Sequence, residues 1–108
     1  MLNCSAEKGL SFDLESMIEF AKGGVVSKTL IKETDKEISL FCMSTGQSLS
    51  SHTSSFPAVI HVLRGKGKVT LESQSYEGRS NTWFYLPANL PHAVEAIQDL
   101  VFLLTLFK

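Results

Sequence analysis

The chain has 108 residues, 44% of them hydrophobic and 19% charged, which is ordinary globular usage and excludes a disordered segment, a charged filament and a second core. Ten Lys and Arg against eleven Asp and Glu leave a formal charge of −1, so no basic surplus draws the surface to phosphate backbones, and nucleic acid is not an expected partner. Cys4 and Cys42 are widely separated and form no C-x-x-C pair, which argues against a disulfide scaffold or a zinc ribbon and for two plain thiols.

Leu14, Met17, Ile18 and Phe20 recur at helical spacings ahead of Gly23 and Gly24, and predict one short helix over about 13–20. Asp13, Glu15 and Glu19 break this apolar stretch, leaving neither a signal-peptide core nor a span of about 20 apolar residues, so the expectation is a cytoplasmic protein with no membrane partner. Beyond Gly24 the period changes to two. Strands are predicted over 25–32, 37–44, 58–63, 68–72, 76–79, 83–86, 93–96 and 101–107, each a β-rich run bounded by turn residues. Eight short strands and one helix make an all-β barrel or sandwich, a single domain over 1–108 with its barrel core at about 25–107.

Lys68, Thr70 and Glu72 alternate with Val69 and Leu71, as in a strand with one wet face. The last strand does not alternate. Phe102, Leu104 and Leu106 interleave with Val101, Leu103 and Phe107, so both faces are apolar although a small barrel has one interior, and something must cover the outer face. The N-terminal helix could shield part of it, but two turns cover little area. A two-fold partner is therefore the favoured cover, and Phe102→Asp or Leu104→Asp is expected to give monomer or aggregate.

Two stretches carry chemistry. Gly46 to Gly67 contains His52 and Ser54, which share a face if the chain is extended, and ends in the Val62-Leu63-Arg64-Gly65-Lys66-Gly67 run. Asn81 to Ala96 places His92 directly after the Pro87-Ala88-Asn89-Leu90-Pro91 turn. Together they resemble the two motifs of the RmlC-like cupin superfamily, G-x5-H-x-H-x3,4-E-x6-G and G-x5-P-x-G-x2-H-x3-N. Gly46, His52 and Gly65 fall on the first motif, and Pro87 and His92 on the second. Ser54 stands in place of the second histidine, Ala58 of the glutamate, Asn81 and Asn89 of the two glycines, and Ala96 of the asparagine.

The resemblance spans about residues 38–107 and implies a double-stranded β-helix, a jelly roll whose mouth holds a metal or ligand, and a homodimer. It implies much less about function, because the fold hosts isomerases, oxygenases, decarboxylases, storage proteins and sensors. Two of the family's four metal ligands are replaced, so His52 and His92 are the candidate metal pair for Fe, Mn, Ni, Cu or Zn, and a metal-free polar pocket is the alternative. His52, Ser54 and His92 are the candidate ligand-binding residues. His61 lies three residues after Ala58, so alternation turns it outward unless a bulge at Pro57 reverses the parity. Of Trp83, Phe84 and Tyr85, the inward parity supplies an aromatic wall, as core packing ahead of ligand stacking. The Gly65-Lys66-Gly67 turn reads as a tight hairpin rather than a phosphate cradle.

Three functions follow: a small-molecule-binding module with a degenerate metal site, a metal-dependent oxygenase-like or isomerase-like enzyme whose shell is completed by water or substrate, and a structural or regulatory dimer without a ligand. A cavity between His52 and His92 is required by the first, and a filled apolar interior would favour the third.

Overall fold

In a computed structural model, residues 9–108 are described; Cys4 lies outside them. The elements in chain order are α1 (Leu14–Met17), β1 (Val25–Lys32), β2 (Lys36–Met43), β3 (Ser48–His52), β4 (Ala58–Arg64), β5 (Lys66–Leu71), β6 (Gln74–Arg79), β7 (Trp83–Leu86), β8 (His92–Ala96) and β9 (Leu100–Phe107). Two antiparallel sheets face each other, one ordered β1-β2-β9-β4-β7 and the other β3-β8-β5-β6. The chain crosses between sheets after β2, β3, β4, β6, β7 and β8, which makes the expected jelly-roll barrel.

Alternation builds the interior. Ala58, Ile60 and Val62 of β4, Phe84 and Leu86 of β7, Val69 of β5, Val94 and Ala96 of β8, and Leu100 and Phe102 of β9 point inward and form the main buried cluster. One hydrophobic parity per strand is what a closed two-sheet barrel requires.

The outer face of the five-stranded sheet carries a second cluster of Leu40, Cys42 and Val101, packed by Met17, Ile18, Phe20, Val26, Leu63 and Leu103. The N-terminal segment thus covers part of the face for which a partner was the favoured cover. It succeeds because it is more than a helix. Among the described residues only Leu14–Met17 is helical, not the expected 13–20; Ile18 is already extended at a ψ of 126°, and Ile18 and Phe20 pack on the sheet beyond the helix end. Glu15 pairs with Arg64 at 3.0 Å and Glu19 with Lys28 at 2.9 Å, while the Ser44 hydroxyl donates to the Ala21 carbonyl.

The same observation corrects the choice of interface residues. Phe102 is 1% exposed inside the barrel, and Leu104 and Leu106 pack against that core. Phe102→Asp or Leu104→Asp would place a charge among apolar side chains and disrupt folding, so neither reports on a dimer.

Among the described residues the strands number nine rather than eight. Ser48–His52, where the sequence predicts a loop, is the added strand: Leu49 packs on the core and the segment pairs with β8. Gly65 does not close a hairpin: β4 and β5 lie in different sheets. It is the single-residue corner between them, at a φ of 92°, where a Cβ would come within 1.9 Å of the Asp99 carbonyl oxygen. Gly67 sits inside β5, where a Cβ would meet Leu100.

Candidate functional site

His52 ends β3 and His92 begins β8, and the two are opposite one another in the antiparallel register. Directly opposed residues put their side chains on one face, and the two imidazoles lie edge to face, centroids 4.3 Å apart and planes at 62°. The approach expected from the motif spacing is therefore present.

Each ring is held by a backbone carbonyl two residues earlier in the chain. His52 Nδ1 lies 2.9 Å from the Ser50 carbonyl oxygen, and His92 Nδ1 lies 2.9 Å from that of Leu90. A carbonyl oxygen only accepts, so in the neutral imidazole Nδ1 is the donor and Nε2 keeps its lone pair. The turn before His92 is fixed from both sides. The Glu72 N–H donates to Pro91 O at 2.8 Å, and the Asn89 N–H donates to Ser54 O at 2.7 Å.

Asn89 and Asn81 adopt φ of 67° and 70°, the left-handed region that asparagine tolerates best after glycine. The two departures from the family's glycines thus keep the backbone the turns need. Ser54 and Ala58 are different in kind, because they remove donors. The Ser54 hydroxyl oxygen accepts the Phe56 N–H at 3.1 Å, closing its own turn, and Ser54 is not among the side chains lining the space at the histidines. Ala58 is buried in the core with a methyl group where the family carries glutamate.

Beneath the histidines is a cavity of about 220 Å³. Phe41 and Phe102, stacked at 5.1 Å with planes 5° apart, form one wall with Leu104. Leu49, Ile60 and Val94 line the remainder. Among the described residues, no lysine, arginine, aspartate or glutamate lines it. Two other depressions, about 230 and 360 Å³, involve outward residues of the four-stranded sheet such as Lys68, and neither touches a histidine.

His61 shares the outward parity of β4 with Val59 and Leu63, and sits between Trp83 and Leu103 in register; Pro57 does not reverse the alternation. Phe84 is the inward aromatic and packs in the core, edge-on to Tyr76 at 6.2 Å. Trp83 and Tyr85 face outward and are more than half exposed. The aromatic wall of the cavity comes instead from Phe41 and Phe102, which inward parity on β2 and β9 would have singled out once the sheet order was known.

The residues do not form the family's four-donor metal centre. Two imidazoles remain, Ser54 and Ala58 supply nothing, and among the described residues no group of three or more His, Cys, Asp or Glu converges. A bound catalytic metal ordinarily takes about three protein ligands. Cys42 is a buried free thiol on the outer side of the sheet, and no described helix is long and apolar enough to cross a membrane.

No curated protein matches the chain in sequence. Among solved structures, a conserved Streptococcus pyogenes protein of unknown function is 26% identical, with a TM-score of 0.84 over 94% of this chain and 90% of that one. A cupin superfamily protein from Desulfitobacterium hafniense is 23% identical, with a TM-score of 0.84 over 93% and 92%. A cupin 2 conserved barrel domain protein from Leptotrichia buccalis is 32% identical, with a TM-score of 0.84 over 90% of this chain, which spans 47% of that protein. Residues 39–106, most of the barrel and both histidine stretches, match the family model of the cupin domain, and the chain belongs to that family.

Proposed function

We propose that this protein binds a small molecule in the cavity beneath His52 and His92, with the family's metal site reduced to that histidine pair. One observation carries the reading: two anchored imidazoles stand over about 220 Å³ of apolar space, while the other two donor positions hold a serine engaged in its own turn and a buried alanine. The cavity also weighs against a purely structural barrel, which has no use for unfilled interior next to two histidines. A cytoplasmic setting is supported by the free thiol of Cys42.

Amide-resonance mapping of the full chain against a fragment set tests this. Binders are expected to shift Leu49, Val94 and His92 together, and to lose at least about tenfold in affinity, or 1.4 kcal/mol, in His92→Ala. Shifts confined to the outer surface would overturn it.

A second reading, a metal-dependent cupin enzyme in which the pair holds Fe, Mn, Ni, Cu or Zn and water or substrate fills the shell, is favoured by the Nδ1 contacts alone. Donation of the other ring nitrogen to a carbonyl is the usual support of a metal-bound histidine. About one metal ion per untagged chain, lost in His52→Ala, would establish it.

For assembly, we propose a homodimer through the half of the five-stranded outer face that the N-terminal segment leaves open. Trp83 at 59%, Tyr85 at 51% and Phe107 at 47% exposure lie there, and tryptophan and tyrosine are the residues interfaces favour. Light scattering should give twice 11.9 kDa for the unmodified chain and one chain mass for a folded Trp83→Glu variant. A monomer before substitution would end the proposal.

A further inference from the structure

We infer that the cavity selects a neutral alcohol or phenol with a compact apolar body, about one substituted ring, in preference to a carboxylate or phosphate; this rests on reading the cavity as a ligand site. Size sets the body. An apolar cavity of about 150 Å³ accepts benzene, and about 220 Å³ leaves room for a ring with one or two substituents. The walls favour it, since the parallel Phe41 and Phe102 rings with Ile60, Leu49, Val94 and Leu104 offer dispersion and no polar partner.

The histidines set the head group. Both Nδ1 atoms are committed to backbone carbonyls at 2.9 Å, so the atoms left on the neutral rings are two Nε2 acceptors. An acceptor pair matches a group that donates. An anionic head offers only acceptors, so at the histidine pair it meets two lone pairs, and among the described residues no lysine or arginine lines the cavity to offset its charge. A hydroxyl reverses both terms: it carries no charge into the apolar space, and its proton meets a lone pair.

Three probes sharing one ring separate the terms: p-cresol, p-toluate and toluene, titrated at pH 8 into chelator-treated full-length protein and followed at the Leu49 and Val94 amides. The expected order is p-cresol at least about tenfold tighter than p-toluate, and tighter than toluene by a margin that falls in both His52→Ala and His92→Gln. His92→Gln keeps a polar side chain, and the dispersion of its amide spectrum shows whether it folds. Tighter binding of p-toluate, or toluene equal to p-cresol, overturns the head-group assignment and leaves the ligand site standing. Failure of all three to move Leu49 and Val94 overturns the ligand site as well.

Discussion

Behind the four-stranded sheet, Ser48 and Ser50 of β3, Lys66, Lys68 and Thr70 of β5, Ser75 and Glu77 of β6 and Glu95 of β8 face water. Behind the five-stranded sheet lie Val26, Leu40, Cys42, Leu63, Val101 and Leu103, with the N-terminal segment laid over them. Both sheets meet the same interior, so the difference comes from the outer parity alone. A sheet that alternates is finished when the barrel closes, whereas one that does not still needs a further layer. This chain supplies part of that layer itself.

The comparison predicts unequal losses. Phe102→Ala removes a fully buried ring of the shared interior and should cost about 3–5 kcal/mol, read as a lower urea midpoint with unchanged slope. A truncation in the N-terminal segment, a strap over the outer face, should cost less. Phe20→Ala strips a half-buried ring from the outer layer and should cost about 1–2 kcal/mol. Its local signature is sharper. Cys42, 1% exposed, should react with a thiol reagent several-fold faster when Phe20 is lost, measured in a Cys4→Ser background, while the four-stranded sheet keeps its amide protection. If both sheets lose protection equally, the strap is part of the core and the two-layer description fails. The ion pairs Glu15–Arg64 and Glu19–Lys28 are exposed and worth about 0–1 kcal/mol each, so apolar cover, not charge, holds the segment down.

Most strands were legible because alternation survives wherever one face is wet. Lys68, Val69, Thr70 and Leu71 announced β5, and the motif spacing placed His52 opposite His92. What escaped detection had a local cause each time. β3 is a run of serines around Leu49, and only pairing with β8 makes it a strand. Gly65 looked like half of a hairpin because sequence shows adjacency but not sheet membership. The cavity wall was hidden for the same reason: Phe41, Ile60, Val94 and Phe102 come from four strands that meet only in the closed barrel. The cover of the outer face was anticipated as a need, but the helical spacing of Ile18 and Phe20 hid that the helix ends at Met17 and that both residues pack on the sheet beyond it.

The smallest expected effect concerns the seam where the sheets join. The turn after β2 and the turn after β8 both carry the chain between sheets, and Asp99 in the second accepts the Thr45 N–H at 2.9 Å and the Thr45 hydroxyl at 2.8 Å in the first. The backbone bond and then the side-chain bond hold the Asp99 carboxyl below its ordinary value of 3.8, because both donors favour the charged form. A carboxyl whose pKa is lower folded than unfolded stabilises the fold above the unfolded value, and the contribution fades as the pH falls through the folded one. Asp99→Asn keeps an acceptor and loses the charge. It should therefore lower the melting temperature slightly at pH 7, and the gap to the unmodified protein should close as the pH falls below the ordinary aspartate value of 3.8 and through the lower folded one. Thr45→Ala should show the same pH dependence with a smaller gap, since it removes only the hydroxyl donor and leaves the backbone N–H bond to the carboxylate in place. A gap between Asp99→Asn and the unmodified protein that stays constant into acid would mean that the seam is held by its backbone bonds, such as Gly46 N–H to Ala96 O at 2.7 Å, and that the carboxylate adds nothing to the joining of the two sheets.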